Sequence, residues 1–291
     1  MIEKSTTGEK IFSVFNYLLL GIITMACAYP MLYALFASIS DPIQLMQHNG
    51  TLLWPKGFSL EGYQVVFKNP NIATGYVNTI LYTFFGTLIS LLLTTMGAYA
   101  LSRKNYMFKK TLTFAVVFTM YFSGGIIPSF LLVRNIGIYD TRWAMVLPTA
   151  IATWNLIVMK TSFQSVPPSL EESAKIDGAN DFVVLFKIFV PISLPTMAVM
   201  TLFYAVSNWN SWFNAMLYLQ DRALYPLQLF LREILIASST SGNASSDVDV
   251  FYLEEVLKYA TIMVSTVPIL CAYPFAQKYF MSGLMLGSIK E

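Results

Sequence analysis

Long apolar runs without charge, separated by short charged segments, set the pattern of this chain. The runs cover 11–40, 69–102, 111–133, 143–159, 188–220 and 259–277. A helix needs about 20 apolar residues to cross the hydrocarbon of a bilayer. The pattern therefore predicts an all-α membrane protein with six spans, at 11–40, 73–102, 111–133, 143–163, 188–216 and 259–280. The fourth is the shortest. It contains Pro148 and borrows Thr161, Ser162 and Phe163, with Lys160 reaching towards the headgroups. Two spans carry breaks, at Gly124, Gly125 and Pro128 in the third and at Pro191 and Pro195 in the fifth. Non-helical backbone at membrane depth is tolerated where protein buries it or where it lines a wet cavity. The breaks thus read as packing kinks or as part of a pathway.

Two segments between the runs stand out. The outer segment 217–258 opens with YPLQLFLREILIAS, where Leu227, Leu231 and Leu235 recur every four residues, as in an amphipathic interfacial helix. It continues as SSTSGNASSDVD, a small polar tract that suits a surface loop or a probe entering a partner. The other segment, 166–187, carries Glu171, Glu172, Asp177 and Asp181 between two apolar runs. No repeat or second soluble domain is visible, so 1–291 reads as one transmembrane domain.

Composition agrees with this picture. Hydrophobic residues make up 56% and charged residues 12% of the chain, against about 25% charged in soluble domains. The net charge of +2 is too small to point to nucleic acid. Cys27 and Cys271 both lie in apolar runs, and His48 is the single histidine, so no disulfide framework or metal site is expected. Ala26-Cys27-Ala28 looks like a cleavage site, but the apolar run continues past it, which favours a retained first helix. Lysine and arginine set the orientation. The stretch SRKNYMFKK carries Arg103, Lys104, Lys109 and Lys110 without an acid, which anchors it on the cytoplasmic side. Both termini and 166–187 are then cytoplasmic.

The acidic segment has its own local logic. Pro167 and Pro168 end the fourth helix. Ser169-Leu170-Glu171-Glu172 has the form of a capping box, with Ser169 capping a new helix and Glu172 reaching back. Gly178 suits the end of that helix, and Asn180 or Asp181 can cap the next. A solvated connector would account for the caps. It accounts poorly for Ala174, Ile176, Ala179 and Phe182 interleaved with the acids, a pattern that suits docking into a groove lined by basic residues.

EESAKIDGANDFVVLFKIFVPISLP resembles the EAA loop of ABC importer permeases: Glu172-Ser173-Ala174, then Gly178, then Ile188-x-Val190-Pro191. Ser173 and Val190 are mild departures at intact spacing. The stretches FSGGIIPSFLLVRNIGIYDT, WNSWFNAMLYL, YPLQLFLREIL and FMSGLMLGSIKE resemble the second permease of maltose-type carbohydrate importers, in the branch for large or acidic oligosaccharides such as alginate. The resemblance implies the type I permease fold with a cytoplasmic coupling loop. It also implies a related second permease as heterodimer partner, two ATPase subunits that bind ATP and Mg, and an extracytoplasmic solute-binding protein. On this chain the docking role falls to Glu172, with Glu171, Ser173, Ala174, Asp177, Gly178 and Ala179 shaping the loop. The last outer loop would probe the binding protein, through Ser239, Ser241, Gly242, Asn243 and Ser245, and the tail 287–291 would reach the ATPases.

Polar groups inside spans need partners or a wet cavity. Asn208, Trp209, Asn210, Trp212 and Asn214 in the fifth span are therefore candidates for the sugar path, as are Asn78, Tyr82, Tyr121, Trp154 and Asn155. Helical spacing pairs Asn208 with Trp212 and Asn210 with Asn214. Interfacial belts and helix–helix bonding are the competing uses of such residues. No P-loop and no H-E-x-x-H occurs, which argues against an enzyme. An ion-coupled transporter would carry ionisable groups within its spans. The six runs hold none, so the energy is expected from outside the chain. A permease of an ABC importer for another solute, and a sensor or scaffold built on the same fold, are the remaining alternatives.

Overall fold

The computed structural model describes residues 7–48, 50–103, 108–241, 256–271 and 274, and every regular element among them is a helix. In chain order these are α1 (Thr7–Ser38), α2 (Pro42–Gln47), α3 (Glu61–Lys68), α4 (Pro70–Ser102), α5 (Lys109–Tyr121) and α6 (Ile126–Asn135). Next come α7 (Trp143–Thr149), α8 (Thr153–Gln164), α9 (Pro168–Ile176), α10 (Asp181–Ile192) and α11 (Leu194–Trp209). The last three are α12 (Trp212–Tyr218), α13 (Leu227–Ser241) and α14 (Val256–Cys271).

Among the described residues, only α1 and α4 are long and apolar enough to span without a break. Three bent pairs each meet the same test: α5 with α6 at 115°, α7 with α8 at 53°, and α10 with α11 at 88°. The sixth expected span begins in α14, and most of its residues past 271 lie outside the described residues. The fifth differs from expectation. It starts at Asp181 rather than at 188, and it turns sharply at Ser193. Pro191 and Pro195 lack the N–H that would continue the helical ladder. Ahead of them the chain widens into a π turn, where the Val190 N–H donates to the Leu185 carbonyl. The third break falls at the expected glycines: Gly125 has φ +87° and ψ 179°, a conformation open to glycine almost alone.

The chain divides into two compact units, Met1–Asn69 with Glu233–Thr266, and Pro70–Arg232 with Val267–Glu291. In the first, Ala37, Leu45, Leu52 and Val256 form a core flanked by Tyr33, Phe36 and Tyr259. Gly62 is needed there, because a Cβ would meet the Val256 side chain at 2.9 Å. Asp41 caps α2 by accepting from the Ile43 and Gln44 N–H groups.

In the second unit α4 is the central post, with α8 and α11 packed along it. The core at the C-terminal end of α4 joins Ala98, Tyr99, Met159, Phe163, Leu185 and Phe189. The break between α7 and α8 frees the Ala152 N–H. The Tyr204 hydroxyl accepts from it at 3.1 Å and also bonds the Thr94 hydroxyl at 2.6 Å. One phenol thus satisfies backbone that the bend leaves open and ties α4, α8 and α11 together.

Candidate functional site

The acidic segment folds as two capped helices, with one correction to the expected caps. Pro168 takes the first helical position, where its missing N–H costs nothing and its fixed φ fits. This pulls Ser169 into the first turn of α9, so no side chain caps the helix and no capping box forms. Glu172 is exposed and bonds to no described residue. The other end matches expectation. Gly178 has φ +83°, its N–H donates to the Lys175 carbonyl, and the Ala179 N–H donates to the Ala174 carbonyl, which is a Schellman closure. The Asn180 side chain caps α10 by accepting from the Val183 N–H at 2.9 Å.

These turns divide the acids into two groups. Ala174 and Ala179 pack against the core at the C-terminal end of α4. Glu172, Ser173, Ile176 and Asp177 are exposed, Ile176 by 86%. Glu171 faces inward. It pairs with Arg103, just past the end of α4, and with Lys175 at 2.9 Å. Lys175 also reaches Asp181 at 3.5 Å, and the Tyr99 hydroxyl donates to Asp181 at 3.4 Å. The Arg103 guanidinium lies over the Tyr99 ring at 4.6 Å and the Phe189 ring at 4.3 Å. Its Nε and Nη2 donate to the Ser102 hydroxyl, and Lys109 donates to the Arg103 carbonyl at 2.7 Å. The hydrogen bond to Glu171 holds the Lys175 ammonium above its ordinary value of 10.5. That contribution is fully present below this value and is lost only as pH rises through the still higher folded one. A cleft of about 930 Å³, lined by Arg103, Glu171, Glu172 and Lys175 among others, separates much of α9 from the span ends. From sequence, Arg103 read only as an orientation anchor. Its partner Glu171 lies 68 residues away, and no local pattern signals the pair.

The polar residues of the spans fall into three sets. Asn78 donates to the Ala223 and Tyr225 carbonyls at 2.7 and 3.1 Å, and Tyr82 donates to the Leu224 carbonyl at 2.8 Å. Both hold the outer loop against α4. Asn155, Asn208 and Trp209 come together along a groove of about 1330 Å³ between α4, α8 and α11, with Thr83 and Thr87. Asn208 donates to Thr87 at 3.4 Å. Asn155 is 6% exposed, yet its amide bonds to no described residue. The rest stand apart from this groove. Tyr121 and Trp154 are 77% and 61% exposed. The helix breaks at Asn210 and Ser211, so the four-residue pairing of Asn208 with Trp212 and of Asn210 with Asn214 does not form. Asn210 instead donates back to the Val206 carbonyl, and Ser211 to that of Asn208. Trp212 lies under the Arg232 guanidinium at 3.9 Å. Ser239 and Ser241 fall on the α13 backbone, with side chains outside the described residues. Gly242, Asn243, Ser245 and 287–291 lie outside the described residues altogether.

Residues 111–284, which include α9 and the groove-lining parts of α8 and α11, match the family of binding-protein-dependent transport system inner membrane components. The chain belongs to this family. Among its relatives is the polygalacturonan/rhamnogalacturonan transport system permease protein YtcP of Bacillus subtilis strain 168, 42% identical over 97% of this chain and 99% of that one. Protein LplC of the same organism is 39% identical over 98% of this chain and 97% of its own length. Among solved structures, a chain of a bacterial ABC transporter involved in the import of the acidic polysaccharide alginate superposes with a TM-score of 0.85. It is 33% identical over 95% of this chain and 99% of that one. The resemblance drawn from the EAA-like segment and the membrane stretches is thereby borne out: this is a transport permease of the type I fold.

Proposed function

We propose that this permease forms half of the membrane path of an ATP-driven importer for oligosaccharides, with acidic, polysaccharide-derived fragments among its cargo. The observation that carries the reading is the two-sided α9. Its inner side is tied to the spans through Glu171, Lys175 and Ala174, while Glu172, Ile176 and Asp177 are exposed and bond to no described residue. A short helix with an apolar tip between carboxylates fits a cleft with basic residues on an ATPase. Two such ATPases, each holding ATP and Mg, supply the energy, and a related second permease completes the path. An extracytoplasmic binding protein delivers the sugar. Both termini and α9 lie on the cytoplasmic side of the cell membrane. Along the path Asn155, Asn208 and Trp209 are the residues that meet sugar, since they line one groove and the buried Asn155 amide, which bonds to no described residue, suits hydroxyl groups. The names of the pectin-fragment and alginate relatives support the substrate class.

The test is reconstitution of the permease pair with its ATPases and binding protein in proteoliposomes. ATP-dependent uptake of an oligogalacturonide is the expected result. Uptake by this chain alone, driven by an ion gradient, would replace the reading with a secondary transporter. Deleting 237–250 should lower uptake and spare assembly, and unchanged uptake would remove the probe role from that loop.

A further inference from the structure

We propose that Arg103 is a positioning residue that carries movement of α9 into the membrane helices. The inference rests on the reading above, that α9 docks on an ATPase.

For α9 to drive the spans, a push on its outer face must reach them through stiff contacts. Direct packing is thin. A cleft of about 930 Å³ opens between α9 and the span ends, and among the described residues of this segment Ala174 and Ala179 bring small apolar surface to the core beyond it. The covalent connection to α10 runs through Gly178, at φ +83° with nothing within 4 Å of where a Cβ would lie, so the turn gains no packing against the spans at Gly178.

What crosses the cleft is a polar link. Glu171 on α9 pairs with Arg103, and Arg103 is held from three sides. The Tyr99 ring of α4 and the Phe189 ring of α10 flank its guanidinium, and the Ser102 hydroxyl accepts from two of its nitrogens. A planar fork clamped between rings keeps its geometry under load in a way that a flexible ammonium does not. Lys175 and Asp181 extend the link to the start of α10. The same arginine therefore touches the end of α4, the underside of α9 and the first half of the α10–α11 pair. It touches none of the outward residues Glu172, Ile176 or Asp177, so docking and transmission are separable.

The experiment compares the complete transporter carrying Arg103→Gln with the wild type. It reads co-purification of the ATPases, ATP hydrolysis, and sugar taken up per ATP hydrolysed. Co-purification and hydrolysis should persist, while uptake per ATP falls by roughly two- to thirtyfold, the span of mutations along coupling networks. The exchange Arg103→Glu with Glu171→Arg should recover part of the loss, since it restores the pair without the ring clamp. A wild-type ratio in Arg103→Gln overturns the proposal, and so does loss of ATPase binding, which would make Arg103 a shaper of the docking face. If the glutamine variant does not assemble, Arg103→Lys decides: a lowered ratio supports transmission and a normal one overturns it. Absence of ATP-driven uptake by the wild-type complex would instead sink the functional reading itself.

Discussion

Glu171 and Glu172 are neighbours with opposite surroundings. Glu171 is spent inside the chain on Arg103 and Lys175, whereas Glu172 is exposed and unpaired among the described residues. Replacing Glu172 by Lys should leave the fold intact and weaken ATPase association by at least about tenfold, because a like charge then faces the basic cleft. Titrating the purified ATPase onto the permease pair checks this, and unchanged affinity would remove Glu172 from the docking role. A quieter residue carries a fold-level duty. Asp140 holds φ +55°, and its carboxylate accepts from the Gln220 and Asp221 N–H groups at 2.7 and 2.9 Å. It thereby closes the loop after α6 onto the loop after α12. Asp140→Ala loses the one oxygen that accepts both hydrogen bonds and keeps the unfavourable backbone, at a cost of roughly 1–3 kcal/mol. Asp140→Asn keeps an acceptor and tolerates positive φ, so its Tm should lie between the two.

Among the helices, what holds them together is decided by contacts that run between distant segments. Tyr204 is the sharpest case. Tyr204→Phe keeps the ring and removes the partner of the Ala152 N–H and of the Thr94 hydroxyl, leaving buried donors at roughly 1–3 kcal/mol. The thermal transition of the purified permease should fall accordingly, and an unchanged Tm would show that the α7–α8 break is satisfied otherwise. Gly75 and Gly21 give a second contrast between helical glycines. A Cβ on Gly75 would meet the Leu227 backbone at 3.0 Å, whereas one on Gly21 meets nothing within 4 Å. Gly75→Ala should therefore cost about 1–3 kcal/mol, and Gly21→Ala should be neutral or slightly stabilising, as Ala is the better helix former. The same contrast explains what the residues foretold. The Asn180 cap, the Gly178 stop and the breaks at Gly125 and Pro191 are local devices, and each was legible. The Ser169 cap failed because Pro168 competes for the same turn by an equally local rule. The pairing of Arg103 with Glu171, the Tyr204 tie and the anchoring of the outer loop by Asn78 and Tyr82 depend on which helices meet, and local patterns do not encode that. The expected pairing across Asn208–Asn214 assumed one continuous helix. Asn210 ended it by bonding its own backbone, as Asn often does.

For the chain as a whole, the placement of charge bears on the source of energy. Among the described span helices, Glu9 and Lys10 lie at the start of α1, Lys109 and Lys110 at the start of α5, Arg134 at the end of α6 and Lys258 at the start of α14, while Lys160 falls in the second half of α8, and Asp181 starts α10 with Lys187 near its middle. Among the described residues, the groove beside Asn155 and Asn208 is lined by amides, hydroxyls and apolar groups, without a carboxylate, lysine or histidine. A proton-coupled carrier needs a titratable group that meets substrate and both sides of the membrane in turn, and such groups are costly enough at membrane depth to be kept only for that use. Amides and hydroxyls suit sugar hydroxyl groups, and none of the described groove residues is a proton carrier of that kind. Uptake into vesicles holding the assembled transporter should therefore persist when a protonophore collapses the proton gradient at constant ATP. It should stop when ATP is removed at a constant gradient. Loss of uptake on adding the protonophore, with ATP unchanged, would place a proton-conducting group in the path and overturn the reading of this chain as a passive half of an ATP-driven channel.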